Sequence, residues 1–91
     1  MEPMREIRGA IIDSWLERRG PLKARPRLVL QVAPRGCPED LMIIEAEATL
    51  VDDAGWLEDL GCNLCHGSPI EAVGHLTISV KLNATEIHLA R

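Results

Sequence analysis

The near absence of aromatic residues constrains this chain more than any other feature. The sequence has no Phe and no Tyr, and it contains two Trp residues, Trp15 and Trp56. Its 91 residues correspond to one ordinary domain, so we expect a single small domain over residues 1–91 with one aliphatic core. A domain of this size buries only about 60–65% of the surface that its unfolded chain exposes. A subunit partner or a metal ion would therefore be a useful source of added stability.

The same composition argues against a nucleic-acid partner. Proteins that bind single-stranded nucleic acid commonly stack the bases on several exposed aromatic side chains, and two Trp residues build no such platform. A formal net charge of -4 also argues against phosphate contacts over the whole surface. From the sequence we therefore expect nucleic acid not to be the partner.

Charge is distributed unevenly along the chain. Residues 1–35 contain eight of the ten basic residues against four acids, whereas residues 36–91 contain ten acids against two basic residues. Regions of opposite charge attract each other within one fold or between copies, so we expect a homo-oligomer. The sequence leaves open whether the basic segment 18–27 contacts protein, nucleic acid or the acidic part of the same chain.

Apolar residues near the N-terminus recur with the spacing of a helix. Met4, Ile7, Ile11 and Trp15 form one stripe, and Gly20-Pro21 ends the run, which predicts an amphipathic helix over residues 4–19. Further apolar and basic residues flank that stripe, and they predict an interface with a partner. The predicted interface residues are Ile12, Trp15, Leu16, Arg18 and Arg19. The alternative is a broad buried face over which the arginine stems extend.

The remainder of the chain predicts a small sheet. Residues 27–33 are rich in β-branched residues, and residues 41–51 alternate as a strand does, although they also contain many helix formers. Residues 52–60 predict a turn and one short helix that ends at Gly61. A second short helix is expected to start at Ser68-Pro69 and to end at Gly74.

The C-terminal residues predict a hairpin. Alternation over residues 75–82, a turn at Asn83-Ala84 and further alternation to residue 90 place Val80 opposite Ile87. The expected fold is therefore α+β, with an N-terminal amphipathic helix packed on a small, mostly antiparallel sheet of about four strands and a C-terminal hairpin.

The segment Cys62-Asn63-Leu64-Cys65-His66 is the one sharp chemical motif. It resembles the C-x-x-C-H motif by which c-type cytochromes attach haem. That resemblance implies electron transfer or gas binding, with Cys62 and Cys65 as covalent anchors and His66 as the ligand of the iron.

The same motif fits half of a structural zinc site. Two thiolates three positions apart chelate one ion, and Cys37 with His66, His75 or His88 would complete a Cys3His set around Cys62 and Cys65. A dithiol redox pair is a third interpretation, and packing of the thiols in the fold is a fourth. We expect no cofactor, with zinc as the alternative and haem c as the least favoured case.

Motifs typical of enzymes are missing from the sequence. It has no phosphate-binding glycine loop, no nucleophile elbow and no Ser/His/Asp order that would indicate catalysis. We therefore expect a non-catalytic protein-interaction or regulatory module that self-associates. The alternatives are a small zinc-binding protein or a c-type haem carrier. The charged N-terminal residues lack an apolar targeting segment, and a cytoplasmic location is expected.

Overall fold

The computed structural model describes residues 4–17, 26–51, 53–62, 64–77 and 81–89. Five strands and one helix occupy most of them. The strands are β1 (Met4–Glu17), β2 (Arg27–Pro34), β3 (Met42–Glu47), β4 (Pro69–Leu76) and β5 (Lys81–Leu89). The helix α1 spans Ala54–Gly61, and a 3-10 turn at Ala48–Leu50 follows β3.

The strands close into a barrel in the order β1-β2-β3-β5-β4, and β4 pairs with β1. Every pairing is antiparallel except that of β3 with β5, which is parallel. A parallel pair requires a long connection, which here contains α1 and β4. Closure gives each strand neighbours on both sides, so the backbone groups are paired around the barrel.

Strand β1 takes part in the pairing on both sides because it is long and bent. Its first part pairs with β4 as far as Ala10, and its second part pairs with β2 from Gly9 onward. At Gly9 a Cβ atom would lie 2.2 Å from the carbonyl oxygen of Ala33, so only glycine permits this approach. A bulge between Ile11 and Asp13 adds one residue to β1 and increases its bend.

The core is aliphatic, as the composition predicts. It is built from the inward-facing residues of all five strands, and α1 covers one end of the barrel. The fully buried large apolar side chains are Ile11, Leu28, Leu30, Val32, Ile44, Leu60, Ile70 and Leu82. The Ser14 hydroxyl of β1 donates a hydrogen bond to the carbonyl oxygen of Leu60, which ties the barrel wall to the helix.

Helix α1 begins at a side-chain cap. The Asp53 carboxylate accepts a hydrogen bond from the backbone N–H of Trp56 at 3.1 Å. Leu60 is fully buried, and Trp56 and Leu57 pack against the core cluster. No helix in the described part of the chain is long and apolar enough to cross a membrane.

The predicted α+β fold and its N-terminal helix are wrong, because residues 4–17 form β1. A spacing of four residues suits one helix face, but it also returns to the same face of a strand, whose period is two. Ile7 and Ile11 therefore satisfy both patterns. The bulge after Ile11 then shifts the alternation by one residue, so that Ser14 points inward and Trp15 outward.

The predicted helix from Ser68 and the hairpin turn at Asn83-Ala84 are also wrong. Residues 69–76 form β4, and Asn83-Ala84 lies inside β5. Ile87 faces Ala72 rather than Val80, which lies outside the described residues. The alternation of apolar and polar residues over 75–82 predicted one strand, but β4 ends at Leu76 and β5 begins at Lys81 within that span.

Three predicted elements are confirmed. Strand β2 covers the segment expected at residues 27–33, β3 covers the first part of the segment 41–51, and α1 lies within one residue of its expected end. Each of these elements is specified by residues within its own span or beside it.

Candidate functional site

The outer face of strands β1, β2, β3 and β5 forms one continuous surface, which we call the outer sheet face. Residues paired across neighbouring strands point to the same side of a sheet, so the register identifies its members. Three rows cross it, and their members are Asp13, Gln31, Ile43 and Lys81, then Trp15, Val29, Glu45 and Asn83, then Glu17, Arg27 and Glu47.

The centre of the outer sheet face is largely covered. Val29 is only 3% exposed although it points away from the core cluster, of which it is not a member. Its paired neighbours Trp15 and Glu45 lie on either side, and Glu45 is itself 7% exposed. Trp15 is half-buried and likewise lies outside the core cluster. The indole of Trp15 therefore lies on the outside of the barrel, beside the covered side chain of Val29.

Basic residues are concentrated in the sequence that connects two strands of this face. The connection between β1 and β2 contains Arg18, Arg19, Lys23 and Arg25 and no acidic residue. Glu17 and Arg27, which bound this connection together with Pro26, are paired across the two strands at the edge of the outer sheet face. Four of the ten Lys and Arg residues of the chain therefore belong to the connection between these two strands.

The face also contains cations in the described strands. Arg27 donates a hydrogen bond from Nη2 to Oδ1 of Asn83 at 3.4 Å, which links β2 to β5 across the end of β3. Lys81 begins β5 beside Ile43, toward the opposite end of the face. The same rows contain four acidic residues, Asp13, Glu17, Glu45 and Glu47, so the excess of positive charge lies in the sequence of the connection 18–25 and not on the strands. A local excess of positive charge attracts anions even when the net charge of the protein is negative.

The predicted interface residues do not share one surface. Trp15 is on the outer sheet face, whereas Leu16 pairs with the buried Leu28 and lies near Gly61 at the end of α1. Ile12 is the extra residue of the bulge and is 43% exposed. Arg18 and Arg19 lie outside the described residues. Residues 4–17 form a strand, so the helix whose stripe and flank were expected to bring the interface residues together does not exist.

The predicted zinc site is not assembled. Cys37 is exposed in the turn after β2, Cys62 is exposed at the end of α1, and Cys65 is buried. His66 is exposed, and its Nε2 lies 3.4 Å from Oδ1 of Asp13. Within the described ranges, no group of three or more His, Cys, Asp or Glu residues could hold a metal ion. The zinc interpretation is therefore wrong, because it required the fold to bring the distant Cys37 and a histidine beside Cys62 and Cys65.

The three thiols should differ in reactivity. Burial raises the pKa of the Cys65 thiol, and the negative charge of Asp59 raises it further, while the Trp56 side chain has a smaller opposing effect. The thiolate is the reactive form, so a raised pKa leaves less of it at neutral pH. We expect alkylation followed by mass spectrometry to show two rapid additions, at Cys37 and Cys62, and one slow addition at Cys65.

The difference in alkylation rate between Cys65 and the two exposed thiols should become smaller as the pH rises toward the raised pKa of Cys65. It should disappear in denaturant. Equal rates for all three thiols in the folded protein would contradict the burial of Cys65.

Comparison with known proteins identifies the fold through structure rather than sequence. No protein-family model and no curated protein sequence matches the chain. The structure of the mitochondrial single-stranded DNA-binding protein Rim1 from S. cerevisiae is similar, with a TM-score of 0.67 and 13% identity. That match covers 100% of this chain and 97% of Rim1. The dimeric structure of the N-terminal domain of PriB from Thermoanaerobacter tencongensis has a TM-score of 0.62 and 19% identity, covering 97% of this chain and 96% of PriB.

These likenesses overturn two expectations from the sequence. The interpretation as a protein-interaction or zinc module is wrong, and so is the expectation against nucleic acid as a partner. The expectation that the protein is not an enzyme agrees with the description of Rim1 as a binding protein. The barrel has the strand order β1-β2-β3-β5-β4, with a helix between β3 and β4. Together with the two structural likenesses, this topology establishes that the chain has the OB fold.

Proposed function

We propose that this protein binds single-stranded nucleic acid across its outer sheet face. The observation that carries the proposal is the position of four basic residues, without any acid, in the connection between β1 and β2. In OB folds the face of strands 2 and 3 and the connections β1–β2 and β4–β5 take up oligonucleotides. The likeness to Rim1, which is named as a single-stranded DNA-binding protein, supports the same function.

Trp15 supplies a stacking surface for a base. It lies on the outer sheet face, three residues before Arg18, where the basic connection starts. A base that stacks on an aromatic side chain contributes about 1–3 kcal/mol to binding, and it does so for any sequence. One half-buried indole on this face, followed in the sequence by four cations, would therefore serve a weakly sequence-dependent site, although the chain contains no Phe and no Tyr.

The charge distribution explains how an acidic protein would bind a polyanion. The net charge is -4, yet the connection 18–25 contributes four positive charges in eight residues. Phosphate contacts act over about one Debye length, roughly 8 Å at physiological salt, so local charge decides the attraction. The cytoplasmic location and the homo-oligomer expected from the sequence remain predictions beside this proposal.

A fluorescence titration tests the proposal because the protein has two tryptophans in different surroundings. Trp56 packs against the core, whereas Trp15 is on the outer sheet face. In a Trp56→Phe variant, the emission comes from Trp15 alone, and a thymidine oligomer should quench it. Trp15→Ala should lower the affinity about five- to a hundredfold, the loss expected for one stacked base.

The Trp56→Phe variant is the matched control, since it changes an aromatic residue away from the face and should bind as the unchanged protein does. A duplex of mixed sequence should bind more weakly, because its base faces are stacked on each other. The proposal fails if the oligomer leaves Trp15 emission unchanged and Trp15→Ala binds with undiminished affinity.

A further inference from the structure

A cleft opens where β3 and β5 separate. Their last paired residues are Glu45 and Asn83, after which β3 continues through Glu47 into the 3-10 turn while β5 stays with β4. The cleft between them has a volume of about 410 Å³. Pockets of about 300–1,000 Å³ accommodate small organic ligands, so this cleft has room for a planar ring.

The cleft combines apolar and polar walls. Ala46, Leu50 and Ala84 line it with aliphatic groups against which the flat face of a ring can pack. Arg27, Glu47, His75 and Asn83 line it as well and supply polar groups. A surface of this kind suits a heteroaromatic ring that has an apolar face and a polar edge, which is the description of a nucleobase.

His75, which lines the cleft, has one side-chain atom without a partner among the described residues. The Nδ1 atom of His75 is buried, and it makes no hydrogen bond within the described part of the chain. Leaving a buried polar atom unsatisfied is unfavourable, and native proteins rarely do so without a functional or structural reason. Because the atom is covered in the ligand-free protein, a bound ring would meet it only after the His75 ring turns toward the cleft.

The neighbouring side chains present donors and an acceptor. The Arg27 guanidinium holds the amide oxygen of Asn83, which leaves the amide NH2 group to donate. Glu47 accepts a hydrogen bond at Oε2 from the Thr49 hydroxyl at 3.4 Å, and its carboxylate has further acceptor positions. The negative charge of an ionised carboxylate repels a phosphate. Because the carboxylate accepts hydrogen bonds only, it requires a donor on the ligand.

The requirement for a donor distinguishes among the bases. Cytosine, adenine and guanine each carry an exocyclic amino group beside a ring acceptor, and glutamate is a known acceptor for the amino group of cytosine. Thymine and uracil have one ring N–H between two carbonyl oxygens, both of which would face the carboxylate unfavourably. The cleft therefore matches an amino-bearing base, with the amino group toward Glu47 and the acceptor toward Asn83 or Arg27.

We propose that this cleft takes one base of the bound strand and selects an amino-bearing base over uracil or thymine. The inference rests on the proposed function and adds a base preference to it. The row that contains Trp15 ends at Asn83, three strand spacings away, or roughly 14 Å. A single strand that stacks on Trp15 reaches the cleft within the site size of about 4–16 nucleotides known for OB folds.

The test compares deoxycytidine and deoxyuridine oligomers of equal length, which differ in the edge that the cleft would bind. Binding is measured by fluorescence anisotropy at slightly alkaline pH, where cytosine is unprotonated. We expect about tenfold tighter binding of the cytidine oligomer, the discrimination that one well-formed pair of hydrogen bonds provides. Glu47→Gln replaces the acceptor-only carboxylate with an amide and should reduce this ratio to about one, because Gln presents both a donor and an acceptor.

Glu86→Gln is the control, since it removes the same charge from an exposed position of β5 that does not line the cleft. It should retain the tenfold ratio, and circular dichroism should show that both variants are folded. Equal affinity of the unchanged protein for the two oligomers overturns the base preference but leaves the proposed function standing. A ratio that survives in Glu47→Gln also overturns it, and failure to bind either oligomer overturns the proposed function with it.

Discussion

Replacing Arg18, Arg19, Lys23 and Arg25 with glutamine should lower the affinity for a thymidine oligomer about a hundredfold at low salt. These residues form the basic connection between β1 and β2, which contains no acid. Each phosphate contact of a single strand releases condensed counterions, which contributes about 0.7 to the slope of log affinity against log salt. Losing four contacts should therefore reduce the slope by about three.

The salt dependence separates this result from a loss of folding. A misfolded variant would lose binding at every salt concentration, whereas the folded variant should approach the affinity of the unchanged protein at high salt. Arg5→Gln with Arg35→Gln provides the control, because both residues are exposed basic positions away from the connection between β1 and β2. An undiminished slope in the fourfold variant would show that phosphate binds elsewhere on the protein.

The largest loss of stability is expected from Gly74→Ala. A Cβ atom at residue 74 would lie 2.0 Å from the carbonyl oxygen of Asn83 and 2.6 Å from the Cα of Ala84. Both are backbone atoms of β5, which pairs with β4 here through an irregular register after Val73. The two strands would have to separate, so the free energy of unfolding should fall by about 3 kcal/mol or more, at the upper end for overpacking.

Urea unfolding followed by circular dichroism measures this fall in the free energy of unfolding, and thermal unfolding measures the corresponding fall in the midpoint temperature. For a domain of about this size the midpoint temperature should fall by roughly 12–24 °C, since each kcal/mol corresponds to about 4–8 °C. Gly61→Ala adds the same methyl group at the end of α1, where it meets only the flexible Leu16 side chain at 3.4 Å. That control should stay within about 0.5 kcal/mol of the unchanged protein. Equal stability of the two variants would contradict the close contact of β4 with β5.

The candidate site was only partly visible in the sequence. The excess of basic residues before residue 36 is evident, but the sequence left open whether it contacts protein, nucleic acid or the acidic part of the same chain. The interpretation of this charge depends on the fact that Glu17 ends one strand and Arg27 begins the next, so that four cations belong to the single connection between β1 and β2. Trp15 was recognised as an interface residue together with Arg18 and Arg19, but it was placed on a helix, whereas it lies on strand β1.

The Cys62-x-x-Cys65-His66 motif shows the limits of reasoning from spacing. Local spacing identified the three residues, but the structure buries one thiol, exposes the other and directs the imidazole to Asp13. A metal site needs ligands from distant parts of the chain, and Cys37 does not form one with them among the described residues. Sequence distance carries no information on that convergence.

What the sequence by itself determined is local or compositional. The aliphatic core follows from the absence of Phe and Tyr, β2 from its β-branched residues, and α1 from the span that ends at Gly61. Only the tertiary structure decided that residues 4–17 are a strand, because even spacing fits a strand as well as a helix, and the bulge after Ile11 reverses the alternation. Pairing with two distant partners, β2 and β4, selects the strand, since the backbone hydrogen bonds of a closed barrel outweigh the weak local preference for a helix.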